Sequence, residues 1–416
     1  MRDLDGSEFP ERREEFGYSV MGPILADILR QLLACLHVAR QQGTSVVFFC
    51  ARGGLTLRHT LELFARRVDL AIPVRSEDFM VSRLAAARTA LQRDPAAIAP
   101  LIEQEFAGRT CAEAARALTN VDVGTDSRWN LPFTVARWVD LTAATEAGRR
   151  ISVINNEQAD LLRQHINALR EPSENVTLCD TGVFGSIAHY LHVGMPAVDW
   201  HSILLFRANY KHISAPHFEY IRGVVSESDA YLPWRPSTAV LLYWQLMEAF
   251  LEPALPTVRY YRTNTTGRVI SDLELGEWQR SLSPPRGSMI AGAYAYLRDL
   301  TSRSIPSIRD RGRTAWSRLR RMIVFPTRTD VALLAIGQRT LDFGIDETAE
   351  FNSRLNQTAQ SLRGKLVAAR GSMWPEGELR KQFPNLAGIF LLGWELKRVL
   401  GALQPQLISH RTPDDS

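Results

Sequence analysis

Two hydrophobic patterns alternate along the first two thirds of this chain. In one, apolar residues recur every three or four positions: behind Pro23, which suits a first helical turn, come Leu25, Ile28, Leu29, Leu32, Leu33 and Leu36. In the other, apolar residues run without interruption and then stop, as in Ser45-Val-Val-Phe-Phe-Cys50. Such runs are too short for helices and suit strands buried on both faces of a parallel sheet. Further helices are expected over 55–66, 81–91, 134–145 and 155–169, with two short ones between 95 and 118 and a polar loop over 122–130. Further strands are expected at 72–75, 151–154, 176–179, 202–206 and 220–225. Strands alternating with helices predict an α/β fold, a mostly parallel sheet flanked by helices. A helix over 239–251, an extended piece over 258–262 and a turn at Asn264-Thr-Thr-Gly267 follow. The strand signal then fades, and 276–303, 314–322, 329–338, 348–369 and 385–403 all read as helices. This pattern divides the chain into an N-terminal arm (1–17), an α/β domain (18–268), a helical domain (269–408) and a tail (409–416).

Two of the strand ends carry glycine. Ala51-Arg52-Gly53-Gly54 follows the first strand, and Asp180-Thr181-Gly182-Val183-Phe184-Gly185-Ser186 follows the run 176–179. Each leads into a helix. Glycine lets a backbone approach a ligand closely or take a positive φ, and a helix N-terminus offers free N–H groups, so such turns suit phosphate. Ligands of parallel sheets sit beyond the carboxyl ends of the strands. Both turns are therefore expected to face one crevice. Asp180 ends its strand there and suits hydroxyls or a metal ion. The same residues also read as an ordinary capped helix start.

At 416 residues the chain exceeds one ordinary core, which supports two domains. The net charge of +4 is small, and its basic residues are mixed with acids, which does not favour a nucleic-acid partner. Arginine supplies nearly all of the positive charge, since lysine occurs only at 211, 365, 381 and 397. Cys35, Cys50, Cys111 and Cys179 show no zinc-ligand spacing and read as reduced thiols of a cytoplasmic protein. The polar start, 1–15, does not read as a signal peptide. No apolar run reaches the roughly 18–20 residues that span a bilayer. The nearest, 386–403, is interrupted by Glu395, Lys397 and Arg398.

The segment Phe48-Phe-Cys-Ala-Arg-Gly-Gly-Leu55 resembles the pyrophosphate loop of type I phosphoribosyltransferases, and 176–186 resembles their loop for phosphoribosyl pyrophosphate (PRPP). A broader resemblance covers about 16–265. Phe16-Gly-Tyr-Ser-Val-Met-Gly-Pro23, the Ala51-Arg52 turn, Val81-Ser-Arg83, Asp180-x-Gly182, Glu248-Ala-Phe-Leu-Glu-Pro253 and the stretch 261–267 occur in this order. That order is similar to the phosphoribosyltransferase-like modules of bacterial surface-polysaccharide clusters, often fused to a haloacid-dehalogenase-type phosphatase. The resemblance implies transfer of 5-phosphoribose from PRPP to a hydroxyl acceptor such as a glycan, a glycolipid intermediate or a natural product. It also implies Mg²⁺ as cofactor and a separate phosphatase as partner, because no Asp-x-Asp phosphatase motif stands near the start. On this basis Arg52, Gly53 and Gly54 would bind pyrophosphate. Thr181, Gly182, Val183, Phe184, Gly185 and Ser186 would cradle the 5-phosphate, and Asp180 would hold the ribose hydroxyls or Mg²⁺. Two positions depart from the family pattern: Cys179 stands where a second acid is usual, and Gly53 stands where the polysaccharide modules carry aspartate. A non-catalytic PRPP or nucleotide sensor and a nucleobase phosphoribosyltransferase are the alternatives.

Other candidates are less specific. Ser82 and Arg83 open a helix and suit an anion, or serve as a cap with a surface arginine. Glu248 suits a catalytic base or metal ligand, or an ion-pair partner. His189 reads as structural. The basic run Arg309, Arg311, Arg313, Arg318, Arg320 and Arg321 suits an anionic partner or a solvated helix face. Trp234, Trp244, Trp316, Trp374 and Trp394 suit sugar stacking or the core.

Overall fold

The continuous apolar runs become the middle of a five-stranded sheet, where burial on both faces is what they require. The structure is a computed structural model and describes residues 8–172, 174–336, 339–340, 348–349 and 362–409. Helix α1 (Glu8–Phe16) passes through a π-helical turn (Gly17–Met21) into α2 (Gly22–Gln41). Then come β1 (Thr44–Cys50), α3 (Gly53–Val68), β2 (Arg75–Phe79), α4 (Arg83–Arg93), α5 (Ala99–Glu105), α6 (Cys111–Thr119), α7 (Val135–Ala144) and α8 (Glu146–Leu169). The sheet is completed by β3 (Asn175–Asp180), followed by α9 (Ser186–Gly194), β4 (Trp200–Phe206) and β5 (Ile221–Ser226). All pairings are parallel, in the order β2-β1-β3-β4-β5.

The pleat sorts side chains into two apolar layers. Val46, Phe48, Cys50 and Leu178 face a layer that includes Leu84 of α4, Ile151 and Leu162 of α8 and Tyr190 of α9. Val47, Phe49, Cys179 and Ile203 face the other, which includes Ile28 and Leu32 of α2. Helix α10 (Gln245–Leu251) precedes a hairpin of β6 (Tyr261–Thr263) and β7 (Val269–Ser271). Helices α11 (Met289–Asp299) and α12 (Ile305–Val324) then add Leu297 and Leu319 to the layer of α2. The short α13 (Arg328–Leu333) and the paired β8 (Arg339–Thr340) and β9 (Thr348–Ala349) follow. The chain ends in α14 (Leu362–Gly371), α15 (Pro375–Gln382) and α16 (Ala387–Ser409), which share a small cluster of their own around Leu379 and Leu391. From β1 the chain winds outward to β2, then crosses back to β3 on the other side. The carboxyl ends of β1 and β3 therefore flank a reversal in winding, the place where doubly wound sheets open a crevice.

Several expectations are corrected. Residues 151–154 are not a strand but lie inside α8. Thr145 caps that helix, its hydroxyl accepting from the Gly148 N–H at 2.8 Å. Ile151, Ala159, Leu162 and Ile166 then bury one helical face, which outweighs the β-branched run. The second strand is Arg75–Phe79, not 72–75. Its polar Arg-Ser-Glu-Asp-Phe sequence hides an edge strand of which only Phe79 is buried. The arm is not loose over 8–17: Phe16 is buried, and the Glu14 carboxylate accepts from the Gly287 N–H at 2.8 Å. Residues 1–7 lie outside the described residues.

This ordering fuses α1 and α2 into one helical stretch, Pro10–Gln41, long and apolar enough by composition to cross a membrane, though most of its apolar part is buried inside the protein. The helix expected over 239–251 is a 3₁₀ segment (Pro236–Leu242) followed by α10. That expected over 276–303 is mainly α11, preceded by a 3₁₀ turn (Trp278–Leu282). Of the helix expected over 348–369, positions 348–349 are strand and 362–369 are helix, while 350–361 lie outside the described residues, as do 337–338 and the tail beyond Ser409.

Candidate functional site

A cavity of about 430 Å³ lies beyond the carboxyl ends of β1 and β3, lined from both glycine turns. Arg52, Gly53, Ser82, Arg83, Asp180, Thr181, Gly182, Val183, Phe184, Gly185, Ser186 and Glu248 all reach it. Gly54 does not. It lies behind the turn, where a Cβ would come within 3.0 Å of the Cys179 carbonyl oxygen and 3.1 Å of the Phe49 carbonyl carbon.

The two turns touch. A Cβ on Gly53 would stand 2.4 Å from the Thr181 hydroxyl oxygen, so no larger residue fits while Thr181 keeps its place. An aspartate at this position would have no room here. Gly185 has φ +75° and sits at the N-cap of α9, where a Cβ would also meet Ile221 Cδ1 at 2.4 Å. Only glycine adopts that conformation without cost, and it aims the first N–H groups of α9 at the cavity. Two long-range hydrogen bonds fix the turn from behind. The Ala208 N–H donates to the Val183 carbonyl at 3.1 Å, and His217 Nε2 donates to the Phe184 carbonyl at 2.8 Å. Burial holds His217 down at about 4, so it is neutral near pH 7. His189 packs its ring 4.7 Å from that of His217, a structural place.

The charges are mixed. Arg52 donates to the Leu255 carbonyl at 3.2 Å and pairs with Glu252 at 3.4 Å. Arg83 and Lys211 both pair with Glu105, at 3.3 and 2.9 Å. The Lys211 ammonium lies 5.8 Å from the centre of the Phe184 ring and 5.7 Å from that of Tyr210. Asp180 is pushed up to about 6 by burial, against the lowering effect of the Gly182 and Thr181 N–H groups and of Arg83, while Glu252 adds to the rise. Ser82 is the N-cap of α4: its hydroxyl accepts from the Ala85 N–H at 3.1 Å and donates to the Val258 carbonyl at 2.6 Å. Its donor is thus committed to the protein rather than to an anion.

Cys179 does not reach the cavity. Side chains alternate along β3, and Cys179 is buried in the α2 layer, its thiol held well up by desolvation. Carboxylates enter instead from α10 and just beyond it: Glu248 and Glu252 both line the cavity. Trp244, one of the tryptophans weighed for sugar stacking or the core, also lines the cavity, and Glu105, Arg109, Tyr210, Lys211 and Gln245 were unforeseen. Two signals pointed to members of this set. Glu252 is the second acid of Glu248-Ala-Phe-Leu-Glu-Pro253, and Lys211 is the only lysine before residue 365. No protein-family model matches the chain, and no curated protein is significantly similar to it.

Proposed function

We propose that the crevice binds PRPP and transfers its 5-phosphoribosyl group to a hydroxyl acceptor, releasing pyrophosphate. The observation that carries this is the meeting of two glycine turns from β1 and β3, one with Arg52 and the other with Asp180 and a helix N-terminus. The turn 181–186 and the first N–H groups of α9 receive the 5-phosphate, with Arg83 and Lys211 beside it. Arg52 makes the charge-assisted contact to pyrophosphate. In the transfer, the bond between the ribose anomeric carbon and the acceptor oxygen forms. The bond to pyrophosphate breaks, and pyrophosphate leaves with the electron pair. The acceptor proton passes to Glu248, the carboxylate that α10 brings to the cavity.

Among the described residues, no group of three or more His, Cys, Asp or Glu forms a metal cage. Mg²⁺ is commonly bound through one or two carboxylates together with substrate phosphates. Asp180 and Glu252, close enough for Glu252 to raise the Asp180 carboxyl, are the residues that would hold it. When bound, Mg²⁺ supplies neutralisation of the leaving pyrophosphate. Asp180 otherwise accepts from the ribose hydroxyls. The test is pyrophosphate release on mixing the protein with PRPP, Mg²⁺ and a panel of hydroxyl acceptors. Acceptor-dependent release supports transfer. PRPP binding without turnover on any acceptor supports the sensor, and release dependent on a nucleobase supports the salvage alternative.

A further inference from the structure

We infer that the outward face of α16 pairs antiparallel with the same face of a second copy of this chain, making a two-fold dimer, and this stands apart from what the crevice does. In sequence, the apolar run 386–403 is interrupted by Glu395, Lys397 and Arg398. The fold turns two of those charges inward. Glu395 is buried, accepts from the Tyr231 hydroxyl at 2.7 Å and pairs with Arg320 of α12 at 2.5 Å. Arg398 pairs with Glu376 of α15, itself buried. Leu391 is buried in the cluster with α14 and α15. Positions 391, 395 and 398 lie on one face of a helix, so these contacts fix the rotation of α16.

What is left outside is apolar. Leu386, in the turn leading into α16, and Ile389, Leu396, Leu400 and Leu403 are 40–73% exposed. Gly393 is exposed among them, with nothing within 4 Å of where a Cβ would stand. Among the described side chains of α16, the only exposed charge is Lys397. This reverses an ordinary surface helix, whose charges face water. Leucines exposed singly are normal, but a continuous stripe over about five turns marks an interaction surface.

The spacing indicates what covers it. The six positions follow one another at alternating steps of three and four residues, the seam that a second helix fills. The order of sizes indicates which helix. Around a two-fold axis midway along the seam, antiparallel partners meet as Leu386 with Leu403, Ile389 with Leu400 and Gly393 with Leu396. The recess at Gly393 in each copy thus receives a leucine of the other. An anionic bilayer fits this face less well. Interfacial helices carry several lysines or arginines beside their apolar stripe, and here Lys397 stands alone.

The test is the mass of the full-length protein in detergent-free solution, by sedimentation velocity over a range of concentrations. A dimer is expected. Leu396→Glu is expected to weaken it by about a hundredfold or more, because each copy would bury an unpaired carboxylate. Gly393→Leu separates this seam from an unspecific apolar contact. Added apolar surface would strengthen the latter, whereas a filled recess is expected to weaken the antiparallel pair by about tenfold or more. Both positions are exposed in the single chain, so both variants are expected to keep the fold, read by circular dichroism. Ile389→Cys together with Leu400→Cys is expected to give a disulfide-linked dimer on mild oxidation. Ile389→Cys alone is not, because its two copies would lie about 16 Å apart along the antiparallel pair. The proposal is overturned if the unaltered protein is monomeric at every concentration, if either Leu396→Glu or Gly393→Leu leaves the dimer unchanged, or if Ile389→Cys alone cross-links as well as the double variant. A monomer that sediments with phosphatidylglycerol vesicles would overturn it in favour of a membrane surface.

Discussion

The two turns that meet in the crevice use glycine for different reasons. In the turn after β1, Gly53 and Gly54 are glycines because protein atoms crowd them: the Thr181 side chain at 2.4 Å and the Cys179 carbonyl oxygen at 3.0 Å from where a Cβ would stand. In the turn after β3, Gly182 has only the end of the Asp180 carboxylate within 4 Å, at 3.1 Å, and otherwise faces the cavity. The first turn is shaped by packing. In the second, Gly185 is also set by packing, against Ile221 Cδ1 at 2.4 Å, whereas Gly182, beside the strand-terminal acid Asp180, is set by what it presents to a ligand.

This contrast can be broken by substitution. Asp180→Asn is expected to lower acceptor-dependent pyrophosphate release by on the order of 10²-fold or more, without loss of the fold. The sign of the stability effect follows from the raised carboxyl. Ionisation of Asp180 in the folded protein is disfavoured, so the stability it contributes falls as pH rises from about 4 to about 6 and stays lower above. The asparagine variant escapes that loss and is expected to melt at or above the temperature of the unaltered protein at neutral pH. A substantially lower melting temperature would contradict this.

Gly53→Ala is expected to cost roughly 1–3 kcal/mol through overpacking, read from denaturant unfolding. Thr181→Ala in the same chain should restore part of it, because the collision is with the Thr181 side chain. Additive losses would mean that the two turns do not touch as described. Gly185→Ala is expected to cost about 1–2 kcal/mol from its positive φ alone, with a further loss from Ile221. Gly182→Ala should change stability by less than about 1 kcal/mol and yet weaken PRPP binding, since its methyl group enters the cavity. Equal losses of stability at Gly182 and Gly53 would erase the distinction between these two glycines.

Much of this crevice was legible before any coordinates. The runs 45–50 and 176–179 had to be central strands, and glycine directly after each marked the turns. Asp180, Arg52 and the residues to Ser186 followed from those strand ends. What stayed hidden had physical reasons. The edge strand Arg75–Phe79 buries only one residue, so it has no continuous apolar run. Residues 151–154 carry β-branched side chains, yet a capped helix with a long buried face absorbs them. Lys211 and Gln245 reach the site from the segment after β4 and from α10, and local spacing says nothing about where those segments end up. Cys179 looked like a missing acid. The pleat turns that position into the core, and Glu248 and Glu252 supply carboxylates from elsewhere in the chain.

The most direct test of the central claim is calorimetric titration of PRPP with Mg²⁺ into the unaltered protein and into Asp180→Asn, at pH values above and below 6. PRPP is expected to bind saturably at one site and to weaken as pH falls through about 6, where Asp180 takes up its proton. The asparagine variant should bind more weakly above pH 6 and show a smaller pH dependence, leaving only that of the ligand phosphates. No binding to the unaltered protein, or binding that Asp180→Asn leaves unchanged at every pH, would contradict the account.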